Sequence, residues 1–304
     1  MGIKFFRGRE AMETASLIAS FLASRKLAGC SDATIQHYGF VLGRMARAIP
    51  SLPKTANYNL VRDFLSTYPG SLATLSEVRN ITAAFLKWLR EHYDYEDPMK
   101  RIPHIRVPEK QIQTLTNDEI FLVLCAPEKN AQHKALIYLL LNTGIRRGEA
   151  VSLKWKYLNT GGDFMYVTGK SGQRQVPISP EVCDLLLALP KGKDDYVFHS
   201  QGGPHTGKPL TEKGADYIAK KYLDLINFHG EKRGCHVFRH SFGRFFFEKT
   251  SDLHTLQKIL GHKRIQQTTL YANLAWAPTI QKHHENNPIC EFNNWHKKFT
   301  AISG

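Results

Sequence analysis

The sequence predicts a mainly α protein in two parts: a helical first third, then a mostly helical remainder broken by a small antiparallel β-sheet. Three observations predict it. Apolar residues recur at three- and four-residue spacing through most of the chain, a proline-studded basic stretch interrupts that pattern once, and two short β-type runs flank a glycine-lysine turn. The 304 residues suffice for two ordinary domains.

Leu17, Ile18, Phe21 and Leu22 share one helix face, which the polar break Gly29-Cys30-Ser31-Asp32 ends. Ser31 or Asp32 can cap a second helix carrying Ile35, Tyr38, Val41, Leu42 and Met45, closing near Pro50. Asn59 can cap a short helix with Leu60, Val61, Phe64 and Leu65, stopped at Pro69-Gly70. A fourth helix, over about residues 75–93, turns Val78, Ile81, Ala84, Phe85, Trp88 and Leu89 inward. Arg44, Arg47, Arg79, Lys87 and Arg90 fall largely on the other faces. Singly each reads as a solvated charge. As a set they suit a helical module gripping a phosphate backbone, and Arg44, Arg79 and Lys87 are assigned as DNA contacts.

Pro98, Pro103 and Pro108 exclude continuous helix from the next stretch, and Lys100, Arg101, Arg106 and Lys110 make it basic. Arg106 joins the candidate DNA contacts. The expected division is an N-terminal extension at 1–12, a first domain at 13–96, a linker at 97–114, a second domain at 115–278 and a tail at 279–304. Thr116-Asn117-Asp118-Glu119 has capping-box spacing and opens a helix with Ile120, Leu122 and Val123. An apolar helix covers residues 136–141. Further on, Phe164-Met165-Tyr166-Val167-Thr168 and Arg174-Gln175-Val176-Pro177-Ile178 read as a hairpin around Gly169-Lys170-Ser171-Gly172-Gln173. The remainder returns to helices, with a glycine-rich loop over residues 202–207.

Forty-one Lys and Arg stand against 27 Asp and Glu, a net +14. Up to Thr114 the count is 16 against 10 (+6), and after it 25 against 17 (+8), so both parts are basic. A nucleic-acid partner accounts for basic residues spread over a whole chain. Cys30, Cys125, Cys183, Cys235 and Cys290 are scattered and odd in number, with no Cys-x-x-Cys pair. That fits neither a disulfide framework nor a zinc knuckle, and points to a reducing, cytoplasmic setting. No apolar run is long enough to span a membrane, and the N-terminus has no extended apolar region, so neither membrane nor signal peptide is expected.

Four segments carry chemistry. In Thr143-Gly144-Ile145-Arg146-Arg147-Gly148-Glu149, Gly144 permits a tight break, Arg146 projects from a helix start where backbone amides favour anions, and Glu149 can brace a guanidinium. Lys170, at the hairpin tip, can reach into a site elsewhere in the domain. In Cys235-His236-Val237-Phe238-Arg239-His240, His236 and Arg239 share a helix face. The His236–His240 pair can bind zinc, but the hydrolase pattern has Glu where Val237 stands. A phosphate site instead wants Arg for its fork of donors and His as proton carrier, the reading we prefer. In Leu260-Gly261-His262-Lys263-Arg264-Ile265-Gln266-Gln267-Thr268-Thr269-Leu270-Tyr271, Gly261 ends one helix and the next brings Tyr271 round. Each segment alone is weak.

Together, in this order, they resemble the tyrosine recombinase (phage integrase, Xer-like) family: Thr-Gly-Ile-Arg-x-x-Glu, a Gly-Lys hairpin followed by Arg and Val-Pro, His-x-x-Arg-His, and Leu-Gly-His followed by Tyr. The resemblance implies a helical, SAM-like core-binding domain and a catalytic domain of the DNA breaking-rejoining fold. It implies that Arg146 and Arg239 clamp the scissile phosphate and that Tyr271 attacks phosphorus to leave a 3′-phosphotyrosyl bond. Lys170 then protonates the leaving 5′-oxygen. His236 and His262 hydrogen-bond the phosphate or assist proton movement on the tyrosine, and Glu149 and His240 support. Arg174, after the hairpin, is assigned to DNA. No metal, nucleotide or other cofactor is implied.

The implied partners are double-stranded DNA with paired half-sites, further copies of the chain in a tetramer on DNA, and accessory DNA-bending or directionality proteins. The implied function is site-specific recombination through a four-way junction, with a mobile-element integrase preferred. The alternatives are an Xer-like dimer-resolving recombinase, a type IB topoisomerase-like enzyme, a non-catalytic DNA-binding protein and, last, a zinc hydrolase. Phe238, Gly148 and Ala272-Asn273 depart from the usual family pattern. Beyond Tyr271, a tail with Trp276, Ile280, Phe292, Trp295 and Phe299 is expected to be exchanged between protomers.

Overall fold

Separate hydrophobic cores form on either side of a division between Lys110 and Gln111, so the chain makes two compact units. The computed structural model describes residues 12–52, 58–93, 95–108, 112–126, 130–159, 163–169, 172–231 and 233–274.

In the first unit, β1 (Met12–Glu13) leads into α1 (Thr14–Leu27) and α2 (Asp32–Ala48), and β2 (Ser51–Leu52) returns to pair antiparallel with β1. The β1–β2 pair has too few residues to show an alternating pattern, and the sequence reading missed it. The Ser31 hydroxyl accepts the Thr34 N–H at 3.3 Å and so caps α2. Two more helices follow, α3 (Tyr58–Thr67) and α4 (Leu72–Tyr93). α4 starts three residues before the expected 75, because Ser71 caps its first turn through the Thr74 N–H. Phe21, Leu42, Met45, Phe85 and Leu89 are fully buried, and Phe21 meets Phe85 and Trp88 edge-on at 5.5 and 5.7 Å. The proline stretch begins inside this core: Asp97 caps a 3₁₀ turn, Pro98–Arg101, that buries Met99.

The second unit opens with α5 (Asn117–Cys125), held by the predicted reciprocal cap: Glu119 N–H to Thr116 Oγ1 at 3.2 Å and Thr116 N–H to Glu119 Oε2 at 2.7 Å. Then come α6 (Ala131–Thr143), the short α7 (Arg147–Val151), and the hairpin of β3 (Phe164–Gly169) with β4 (Gly172–Pro177), registered from Phe164↔Pro177 to Gly169↔Gly172. The rest is α8 (Pro180–Leu187), α9 (Glu212–Leu225), α10 (Cys235–Thr250), α11 (Leu253–Leu260) and α12 (Gln266–Leu274).

α6 is apolar around most of its circumference because α8, α9 and α10 all pack on it, and Leu136, Leu139 and Leu140 are wholly buried. α10 runs past it, pinned where the Ser241 hydroxyl accepts the Leu115 N–H and Arg244 donates to the Leu115 carbonyl, both at 2.8 Å. A small third cluster of Phe247, Leu256, Leu260 and Tyr271 joins α11 and α12 to the end of α10. The fold class is the one read from the sequence, helical with a small antiparallel sheet. No described helix is long and apolar enough to cross a membrane.

Candidate active site

Two helices end on glycine, and those ends build the site. α6 stops at Gly144 (φ +60°) and α11 at Gly261 (φ +62°), left-handed conformations that reverse the chain in one residue. Such ends leave carbonyls with no partner inside the helix and carry its partial negative charge. Here two arginines take them. Arg239 donates to the Gly144 carbonyl and, at 2.9 Å, to that of Leu260, while Arg146 donates to that of Gly261 at 3.1 Å. Neither glycine can grow a side chain. A Cβ on Gly144 would lie 2.3 Å from the Phe242 ring, and one on Gly261 would lie 2.6 Å from Arg174 Nε.

Glu149 ties the arginines together. Its carboxylate is 3% exposed and accepts from the Arg146 side chain (3.1 Å), the Arg146 backbone N–H (2.8 Å) and both terminal nitrogens of Arg174 (2.6 and 3.0 Å). Burial works to raise its pKa, but the hydrogen bonds from Arg174 and Arg146 prevail and hold it below the usual carboxylate value. The sequence reading gave the start of α7 to an anion held by backbone amides. In the structure Glu149 itself occupies the Arg146 N–H. Gly169, the last residue of β3, lies so close that a Cβ there would sit 2.6 Å from Glu149 Oε1.

Arg239 is 4% exposed, and burial followed by repulsion from Arg146 brings its pKa down to about 10. Its Nη2 lies 2.8 Å from His262 Nε2. A guanidinium can only donate, so Nε2 must present a lone pair and the ring proton sits on Nδ1, where it donates to Thr268 Oγ1 at 2.9 Å. Burial and the nearby Arg239 and Arg146 agree with this, pushing the His262 pKa down to about 4. Arg146 and Arg174 bond the carboxylate of Glu149 and Arg239 lies near enough to feel its charge, so three positive charges stand against one negative, an excess that a phosphodiester would offset.

Tyr271 is fully buried in the third cluster, its hydroxyl 3.1 Å from His240 Nδ1. Burial raises its pKa against the pull of Arg239 and Arg146. Gly243 makes room for its ring, since a Cβ there would lie 2.5 Å from two ring carbons. His236, on the first turn of α10, is exposed and lines an open cleft of about 580 Å³ with Arg146, Glu149, Thr168 and Lys263. Its ring lies 6.3 Å from that of His240. Lys170 is outside the described residues, as are the tail residues from 275 onward.

Two of the assigned DNA contacts are corrected. Arg79 is 5% exposed and donates to the carbonyls of Ile102 (2.9 Å) and Pro103 (2.8 Å), so it anchors the proline stretch to α4 rather than reaching a backbone phosphate. Arg174 is committed to Glu149 and, at 3.3 Å, to the Ile259 carbonyl, which makes it a brace inside the site. Lys87 and Arg106 are exposed, and Arg44 is half-buried with its guanidinium over the Tyr68 ring at 4.6 Å. Sequence reasoning missed Thr268 and Gly243, each identified only by what lies opposite it in space. It gave His236 and His262 either the phosphate or proton movement on the tyrosine and left His240 a supporting part, and the structure sets His240 against that hydroxyl.

Comparison with known proteins identifies the family. The phage integrase family matches residues 113–277. Tyrosine recombinase XerD of Ralstonia nicotianae is 26% identical over 255 residues, covering 78% of this chain and 81% of that protein. Tyrosine recombinase XerC of Bacillus pumilus is 29% identical over 241 residues, covering 69% of this chain and 74% of that protein. Among solved structures, the XerH site-specific recombinase bound to palindromic difH substrate in a post-cleavage complex superposes with a TM-score of 0.69 at 22% identity, covering 89% of this chain and 84% of that one. A lambda integrase tetramer bound to a Holliday junction gives 0.66 at 19% identity, covering 84% and 79%. With the family matched over more than half its length, across the arginines, the histidines and Tyr271, the chain belongs to the phage integrase family of tyrosine-type site-specific DNA recombinases.

Proposed function

We propose that this protein cuts and rejoins DNA by attack of the Tyr271 oxygen on a backbone phosphorus held by Arg146 and Arg239. The phosphorus–tyrosine bond forms as the bond to the 5′-oxygen breaks, and that oxygen departs with a proton supplied by Lys170. His240 takes up the phenol proton. No energy source is consumed, because the phosphotyrosyl ester retains the bond energy for rejoining to another 5′-hydroxyl. The observation that carries the reading is the convergence of Arg146 and Arg239, from distant segments, on the adjacent carbonyls of Gly261 and Leu260 at the end of α11, which packs against the Tyr271 helix.

Arg146 and Arg239 offer fixed donors to charge growing on the equatorial oxygens, where such preorganised donors have their largest effect. The buried Tyr271 hydroxyl needs a shift of α12 to reach a phosphate in the cleft, and we assign that shift to DNA binding and assembly. By analogy with the XerH and lambda integrase complexes, two protomers occupy paired half-sites and four exchange strands at a junction, with Arg44, Lys87 and Arg106 gripping the backbone from the first unit.

Tyr271→Phe tests the chemistry. The variant is expected to bind DNA like the parent and to form no denaturant-resistant protein–DNA adduct; an adduct that persists sinks the assignment. Within this chemistry we retain the mobile-element integrase as the biological role. The alignment with XerD and XerC over most of the chain favours a dimer-resolving role as second reading. Site selection with the Tyr271→Phe protein separates them by whether element ends or a resolution site is recovered.

A further inference from the structure

Arg146 and Arg147 are neighbours with different tasks. Both line the cleft, but Arg146 bonds the carbonyl that ends α11, whereas Arg147 reaches across to α9. Its Nε and Nη2 donate to Glu212 Oε2 at 2.9 and 2.5 Å, and its Nη1 donates to Asp216 Oδ2. Glu212 and Asp216 are four residues apart and so share one face of α9. The other oxygen of Asp216, Oδ1, accepts the backbone N–H of Cys235 at 3.0 Å. Cys235 is the first residue of α10, and the residue before it is Gly234, which has no side chain to cap the helix. α10 therefore receives its N-terminal cap, with a negative charge at the positive end of its dipole, from a side chain on another helix.

Both glycines beside this network are clearances for it. A Cβ on Gly234 would lie 2.8 Å from Asp216 Oδ1, and one on Gly148 would lie 3.0 Å from Glu212 Oε1. That gives a physical reason for Gly148, one of the positions at which this chain departs from the family pattern.

We propose that Asp216, clamped by Arg147, is a positioning residue: by capping α10 from α9 it sets where His236 and Arg239 stand relative to the phosphate that Arg146 holds. The mechanical path is short. α7 carries Arg147 directly after Arg146, α9 carries Asp216, and α10 presents His236 one residue beyond the capped N–H. The proposal rests on the strand-cleavage reading above and extends it to two residues outside the clamp.

The test uses the full chain and a nicked duplex of the selected site, on which cleavage is trapped. Under saturating protein, Asp216→Ala is expected to slow adduct formation about tenfold, the size of a lost helix cap expressed as a rate. DNA affinity should stay within about twofold, because Asp216 lies off the groups that grip DNA. Asp216→Asn keeps an acceptor for the Cys235 N–H and should recover most of that rate. Arg147→Met, which leaves Asp216 in place but unclamped, should slow the step less than Asp216→Ala, and it carries the test if that variant does not fold. In a His236→Ala background the Asp216→Ala loss should shrink, since the two act through one helix end. Parent-like rates for both Asp216→Ala and Arg147→Met overturn the proposal. So does an Asp216→Asn protein as slow as Asp216→Ala, a loss confined to affinity, or full multiplication with His236→Ala. A parent protein that forms no adduct overturns the cleavage reading itself.

Discussion

Around Arg239 the contacts are carbonyls, a histidine nitrogen and neighbouring charges; around Tyr271 they are mostly aromatic and aliphatic side chains. Both residues are buried, yet the consequences differ. A guanidinium spoken for by fixed carbonyls cannot rotate away, so on the proposed mechanism Arg239 would stand ready before DNA arrives and need little rearrangement when charge develops. A phenol packed in a small apolar cluster is held without strong direction. Moving it costs contact area rather than a network of paired charges. On the proposed mechanism, the site would couple a rigid phosphate holder to a stored nucleophile, a division that would keep cleavage waiting for assembly on DNA.

The sharpest way to break this contrast is Arg239→Ala. It strips two helix-end carbonyls and the His262 lone pair of their donor at once. Losing fixed donors of this kind lowers cleavage by about a thousandfold. Single-turnover adduct formation slowed by about a thousandfold, with parent-like DNA affinity, is the expected result. A loss under tenfold would mean that Arg146 alone makes the clamp.

Glu149→Gln comes next and is read in stability. Removing one partner of a buried ionic network costs about 3 kcal/mol, and here Arg146 and Arg174 are left facing each other across a neutral amide. The pH dependence has a definite sign. Because the folded pKa of Glu149 lies below its ordinary value of 4.5, its stabilisation is complete above that pH and fades as pH falls through the lower folded value. Urea titrations at pH 7 and through the acid range should show the parent losing this increment and Glu149→Gln lacking it throughout. An unchanged acid slope in the variant would place the titration elsewhere.

Gly243→Ala perturbs the tyrosine side alone. The added Cβ meets the Tyr271 ring at 2.5 Å, and overpacking of this kind costs about 1–3 kcal/mol. Hydrogen exchange should quicken over α12 and remain slow over α6, with DNA affinity within about twofold of the parent. Equal loosening of both helices would show that clamp and nucleophile form one cooperative body.

How much of this was visible in the sequence depends on where each partner lies. The Thr116–Glu119 box, the hairpin and the order of the four segments were legible, because each is a local pattern whose members are a few residues apart. Glu149 bracing Arg146 was legible for the same reason. The roles of Arg79 and Arg174 were not. Arg79 is fixed by two backbone carbonyls, which every residue possesses and no sequence advertises, and Arg174 is fixed by a carboxylate on another element. The burial of Tyr271 was hidden too. Its surroundings come from α10 and α11, and the clearance they leave is a glycine that reads on paper as an ordinary helix interruption.

The smallest expected effect tests the link between the two sides. Thr268 sits on α12 with Tyr271, but its hydroxyl accepts from His262, whose other nitrogen holds Arg239. Thr268→Val keeps the shape and deletes the acceptor, so it is not the neutral swap its size suggests. The His262 proton must then stay on Nδ1 without a partner, or move to Nε2 where it would confront a guanidinium donor. Either outcome loosens Arg239 by about one hydrogen bond, roughly 1 kcal/mol or a fivefold loss in cleavage rate. The histidine can be watched directly by NMR. With its pKa pushed down to about 4 from the ordinary 6.5, His262 stays neutral in the parent down to pH 5. The unfolded chain takes up that proton first, so His262 makes stability rise with pH between about 4 and 6.5 and leaves it level above. A His262 midpoint near 6.5 in the parent would put a proton on Nε2, and then Arg239 would not be locked from the α12 side at all.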